Sequence, residues 1–189
     1  RERALQSDGA LFSDDSLWNM VNLRALWVAL TKERTDLRRL ESLGETLSGE
    51  GDEVIRLTAE LFWLIYLAAG PDCITHARKT ELVRTIYEWS GQTLSPSHHL
   101  LSDMGLPSHG GVGLFYSARR IDELMFLIKT LVSIKKRTTA ERAALLTDPW
   151  ETAQVLDDAA GNEASQLSHV LRYLLFPEHF DDIFTRRDK

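Results

Sequence analysis

Apolar residues return along most of this chain at intervals of three and four, the spacing that lines one face of a helix. From Ser16 to Thr31 they are Leu17, Val21, Leu26 and Leu30, with Trp18 and Trp27 among them. Leu37, Leu40, Leu43 and Leu47 form a one-face stripe between Thr35 and Leu47, and Gly49 and Gly51 stop it. Asp52, a good N-cap residue, predicts a helix that runs to Ala69 and ends at Gly70-Pro71. That helix is apolar on nearly every side, through Val54, Ile55, Leu57, Leu61, Phe62 and Ile65, which predicts a central place in a bundle with Leu61 and Ile65 almost wholly buried. Its polar stripe is Arg56 and Glu60, four apart and able to pair.

Thr75 to Trp89 predicts the next helix, with Leu82, Val83, Ile86 and Trp89 inward and Gly91 as C-cap. From Thr93 to Gly113 the composition shifts to Ser, Pro, His and Gly, a long connection with a short helix at Ser97 to Met104. Arg119 to Lys136 is again strongly apolar, through Ile121, Leu124, Ile128 and Leu131. A short helix over Ala140 to Leu146 breaks at Asp148-Pro149, and another ends at Gly161. A last helix from near Asn162 carries Leu167, Val170, Leu171, Leu174 and Leu175 before Pro177 stops it. Phe180 and Phe184, four apart, are expected on one face of the continuation, folded back onto the core. Neither period-2 alternation nor an Asn-Gly or Asp-Gly hairpin turn occurs. The expectation is an all-α, irregular bundle of about seven to nine helices. It forms a single domain over 1–189, or two packed halves, 1–92 and 114–189, joined by the connection 93–113.

With 43% hydrophobic and 26% charged residues in 189, the chain can bury a sizeable core, and wholesale disorder is not expected. The longest apolar run, Leu61 to Ala69, is about half a membrane span, so no membrane partner is expected. The chain opens on Arg1 with no signal-peptide pattern, which suggests a cytoplasmic fragment of something longer. A single cysteine, Cys73, excludes an intramolecular disulfide and reads as a packing residue. The net charge of −6 argues against a surface built throughout for phosphate backbones, but leaves room for a local basic patch.

Candidate chemistry is sparse. His98 and His99 are adjacent and so point about 100° apart on a helix; with His109 they read as solvated loop histidines, and no metal-ligand spacing occurs. There is no Gly-x-Ser-x-Gly elbow. Gly110-Gly111-Val112-Gly113 lacks the Lys-Ser/Thr of a phosphate loop. Glu178, Asp181, Asp182 and Lys189 lack the sheet that a nuclease metal centre uses, and acids favoured by a helix N-terminus explain them. No catalytic, cofactor-binding or metal residue is assigned. The basic residues of one helix are the candidate DNA contacts: Arg119 and Arg120 open it, Lys129 lies midway, and Lys135, Lys136 and Arg137 close it. The competing explanation for the last three is a cationic helix C-terminus favoured by the macrodipole. Arg34, Arg38 and Arg39 form a weaker cluster, and no aromatic residues interleave with either. Trp27, Trp63 and Trp89 fall on apolar faces, whereas Trp18 and Trp150, near element ends, are either packed or exposed anchors.

Several blocks, in order, resemble the region that precedes the GTPase/ATPase module in McrB-like AAA+ restriction proteins. They are Asp8-Gly9-Ala10-Leu11-Phe12 followed by Trp18, the stretch from Glu53 to Leu64, Lys79-Thr80-Glu81-Leu82, Leu145 to Trp150, and Leu174-Leu175-Phe176-Pro177-Glu178-His179-Phe180. Arg187-Asp188-Lys189 falls where that group shows a basic residue. Asp181 stands where Glu is usual, Thr185 where Ser is, and Thr93 to Gly113 matches only loosely. The resemblance implies a bacterial defence system that restricts foreign DNA, in which a homo-oligomeric AAA+ ring hydrolyses nucleotide and a separate nuclease subunit cuts. It would make this chain a non-enzymatic N-terminal accessory domain for target recognition or regulation, with DNA, the parent AAA+ module and the nuclease subunit as partners. The alternative is a protein-interaction or structural module that docks on the ring, the nuclease or a phage protein and never touches DNA. No nucleotide-binding motif lies within these residues, so the resemblance carries no catalytic residue and no cofactor.

Overall fold

A computed structural model of the chain describes residues 2–32, 37, 39–71, 73–106, 119–161 and 165–181. Among them run eight α-helices: α1 (Met20–Lys32), α2 (Leu40–Leu47), α3 (Asp52–Leu67), α4 (His76–Glu88), α5 (Arg120–Lys135), α6 (Thr139–Leu145), α7 (Pro149–Ala160) and α8 (Gln166–Leu175). Single helical turns occupy Glu2–Gln6 and His99–Leu101. The chain is 65% helical and has no strand among the described residues, so the all-α multi-helix expectation holds.

Local chemistry sets several helix starts. The Thr75 side chain accepts from the Arg78 amide at α4, and Thr138 with Glu141 forms a capping box at α6. Asp148 accepts from the Trp150 and Glu151 amides at α7, with Pro149 in the first helical position, and Ser165 accepts from Ser168 at α8. Gly161, at φ +56° and ψ −129°, ends α7 in a positive-φ conformation that glycine adopts readily. At α3 the expected cap moves by one residue: Gly51 is the N-cap, and Asp52 and Glu53 sit in the first turn, where the macrodipole favours acids.

Helix α3 is the axis of the bundle. Leu57, Leu61 and Ile65 are fully buried, and α1, α4 and α5 pack around it. One continuous core runs from Ala4 to Leu171 and takes residues from both sides of the 93–113 connection. A small satellite of Ile134, Leu145 and Val155 joins the end of α5 to α6 and α7.

Several expectations need correction. Helix α1 starts at Met20, so Leu17 and Trp18 precede it and are buried as part of an N-terminal arm, residues 2–18. The buried stripe of α1 is then Leu23, Leu26, Ala29 and Leu30, which turns Val21 outward to 76% exposure. Arg56 and Glu60 do not pair with each other; both are buried and bound to the arm. The helical turn expected over Ser97 to Met104 is confined to His99–Leu101. Trp150 is 68% exposed, with its ring edge-to-face on a half-buried Phe180 at 5.5 Å. Arg34, Arg38, His109, Gly110 to Gly113, Asp182, Phe184, Thr185 and Arg187 to Lys189 lie outside the described residues.

Candidate functional site

The six candidate DNA contacts do not form one patch. At 1.5 Å per residue, Arg120 and Lys135 lie roughly 22 Å apart along α5. Lys135 is overturned as a contact. It is buried, its Nζ donates to the carbonyls of Ala4 at 2.5 Å and Leu5 at 3.0 Å, and it pairs with Asp8. Burial pushes its pKa below the usual lysine value, offset in part by Asp8. Arg119 pairs with Asp122 at 3.1 Å, Arg137 with Glu151 at 2.5 Å, and the half-buried Arg120 bonds the Tyr66 hydroxyl. Lys129 and Lys136, seven apart, share the exposed face of α5. Asp122, seven residues before Lys129, is exposed on that same face. Two cations and a carboxylate do not make a groove that follows a phosphate backbone. Arg39 is exposed, at the start of α2.

The charges that matter most to the architecture are buried. The Glu60 carboxylate accepts from the Leu11 amide at 2.9 Å, the Phe12 amide at 3.0 Å and the Trp18 indole N–H. Burial raises its pKa, and those three donors pull the other way. Arg56 pairs with Asp15 and donates to Gln92 at 3.3 Å. Asp8, at φ +64°, takes both Lys135 and Arg142, and Arg142 also donates to the Gln6 carbonyl at 3.1 Å. Four side chains on α3, α5 and α6 thus clamp the arm. Elsewhere Glu123 caps α8, accepting from Ser165 Oγ at 2.6 Å and the Gln166 amide at 3.0 Å. Lys79 donates to the Ala69 carbonyl just past α3, and burial lowers its pKa to about 8. Sequence reasoning missed these roles, although one signal was present: an acid and a cation inside helices with almost no polar face must find partners or stay solvated at the surface.

Between the arm, α3, α5, α7 and α8 lies an apolar cavity of about 370 Å³. Leu127, Leu131, Thr130, Leu156 and Thr152, all buried, line it from α5 and α7. Half-buried Leu5, Leu64, Leu100, Leu174 and Leu175 form its rim. The polar atoms in its walls are already engaged. Trp63 Nε1 donates to the Leu100 carbonyl at 2.7 Å, Thr130 Oγ1 to Phe126 at 3.0 Å and Thr152 Oγ1 to Leu145 at 2.7 Å.

Cys73 is half-buried. His98 lies against Phe12, ring centroids 5.3 Å apart, and stacks on His99; burial lowers its pKa. Among the described residues no group of three His, Cys, Asp or Glu side chains is placed to hold a metal, and no helix is long and apolar enough to cross a membrane. No family model, no curated protein and no solved structure matches the chain. The likeness to McrB-like proteins therefore rests on the residue blocks alone.

Proposed function

We propose that this chain is a non-catalytic N-terminal accessory domain of an McrB-like AAA+ restriction ATPase, and that it acts by docking on protein rather than by reading DNA. The blocks of resemblance support the parentage. The observation that carries the choice of protein over DNA is Lys135, the first member of the basic run, which is consumed inside the fold by Ala4, Leu5 and Asp8. The remaining cations are spread over both ends of α5, or share its exposed face with Asp122, on a chain of net charge −6. Exposed Val21 and Val28, two turns apart on α1 with exposed Arg24 between them, offer a strip of mixed apolar and charged character that suits a protein partner. The parent AAA+ module is the occupant this reading assigns to that strip.

The test pairs two titrations of the same protein. Fluorescence anisotropy with labelled duplex DNA should show no saturable binding, and sedimentation with the parent AAA+ module should show a complex that Val28→Glu abolishes. DNA binding that falls steeply with added salt and disappears in Lys129→Glu/Lys136→Glu would overturn the reading in favour of DNA recognition. Binding to neither DNA nor the AAA+ module would also overturn it.

A further inference from the structure

We propose that the 370 Å³ cavity between the N-terminal arm and helices α3, α5, α7 and α8 is a binding site for an uncharged, apolar small molecule. Its size is that of ligand pockets, which run upward from roughly 300 Å³. A cavity of about 150 Å³ takes one benzene, so about 370 Å³ accommodates a ligand of roughly fifteen heavy atoms.

The chemistry of the walls selects the ligand class. Among the described residues no charged side chain lines the cavity, and its hydroxyls and indole N–H groups already have acceptors. A charged ligand would lose its hydration with nothing in return. Water is disfavoured for the same reason, because apolar cavities stay dry. An apolar molecule loses only unfavourable contact with water, and gains dispersion contacts with walls that face one another across the space. The shape favours a small molecule over a partner's side chain. The lining residues of α5 and α7 are buried, and Leu64, Leu100 and Leu174, also in its walls, are half-buried.

Titration of the intact chain with N-phenyl-1-naphthylamine, an uncharged dye of about this size that brightens in apolar surroundings, tests the site. The expected result is saturable one-to-one binding at micromolar concentration. Methyl resonances of Leu127, Leu131 and Ile134, which line the cavity, should shift with the same midpoint. Ala4→Phe and Val155→Phe each add a ring to the cavity wall and should each weaken dye binding at least tenfold in protein that still melts cooperatively. Where one variant fails to fold, the other and the methyl shifts decide. Absence of dye binding, binding unaffected by both substitutions, or shifts confined to residues outside the cavity would each overturn the proposal.

Discussion

Glu60 offers the sharpest test of how this fold is held. Its carboxylate is fully buried and answers three donors, the amides of Leu11 and Phe12 and the indole of Trp18, all on the arm. Each buried donor left without a partner costs about 1–3 kcal/mol. Glu60→Ala orphans all three, and the arm would lift to reach water before the full sum accrued. The loss is then capped by what docking the arm is worth, for which burial of Trp18 alone sets a scale of about 3–5 kcal/mol. Glu60→Gln keeps the shape. Its single carbonyl oxygen serves two donors at best, while its NH2 points a donor at the third, so about 2 kcal/mol is expected after allowing for the charge no longer buried.

Urea denaturation followed by circular dichroism gives these differences, and hydrogen exchange at the Leu11 and Phe12 amides locates them. Exchange at those two amides should accelerate in the Gln variant far more than exchange in α4. A Gln variant within 0.5 kcal/mol of wild type (roughly the scatter of a surface substitution), with unchanged protection at Leu11 and Phe12, would refute the assignment of Glu60 as the arm's anchor.

Leu61→Ala, at a fully buried position on α3, should cost about 3–4 kcal/mol and lower Tm by roughly 10 °C; an unchanged melt would remove α3 from the centre of the bundle. Phe180→Ala should cost only about 1 kcal/mol, since the ring is half-buried and meets Trp150 and Phe176 at its edges, and a loss above 3 kcal/mol would restore it to the core. Lys79 has a folded pKa of about 8 against an ordinary 10.5, so its contribution is present above 10.5 and lost as pH falls through 8. Lys79 should therefore contribute a rise of roughly 2 kcal/mol in stability by urea melts between pH 8 and 10, and Lys79→Met should remove that part, leaving the smaller rise from Lys135, whose pKa burial also lowers. Tyr66, whose pKa burial raises from 10.0, opposes the trend only above that pH.

The helices were legible because what sets them is local. An apolar period fixes which face is buried, and caps such as Thr138 with Glu141, or Asp148 before Pro149, act within one turn. Leu61 and Ile65 are buried as their helix predicts, because a segment apolar on all sides has nowhere else to go. What was not legible depends on residues far along the chain. Lys135 looks like the cationic end of an amphipathic helix until Ala4, 131 residues away, supplies its carbonyl. Glu123 looks like a first-turn acid until Ser165 and Gln166 bring their donors to it. Val21 falls on the apolar face when Leu17 and Trp18 are read as part of the same helix, whereas Glu60 draws Trp18 into a separate arm. Period and charge sign are properties of a segment; the partner of a buried charge is a property of the fold.

The arm and the cavity are one thermodynamic unit, and this supplies a further test. Ala4, Leu5, Leu11 and Trp18 belong to the arm and also line the cavity, so lifting the arm removes part of the wall. A ligand that needs this wall binds the docked state alone, and stabilises docking by RT ln(1 + [L]/Kd), about 2.7 kcal/mol at a hundredfold excess over Kd. Saturating N-phenyl-1-naphthylamine should then slow exchange at the Leu11 and Phe12 amides by up to about a hundredfold where arm opening governs it. Exchange in α4, which lends no residue to the cavity, should change far less. The coupling is reciprocal, so a substitution that populates the lifted arm must weaken the dye by the same factor. Glu60→Ala touches no cavity atom, since Glu60 is not among the lining residues, and it should nonetheless reduce affinity in proportion to the fraction of molecules with the arm released. Dye bound tightly by Glu60→Ala while exchange shows its arm open would mean that α3, α5, α7 and α8 hold the ligand without the arm. In that case the clamp formed by Arg56, Glu60, Lys135 and Arg142 would serve stability alone.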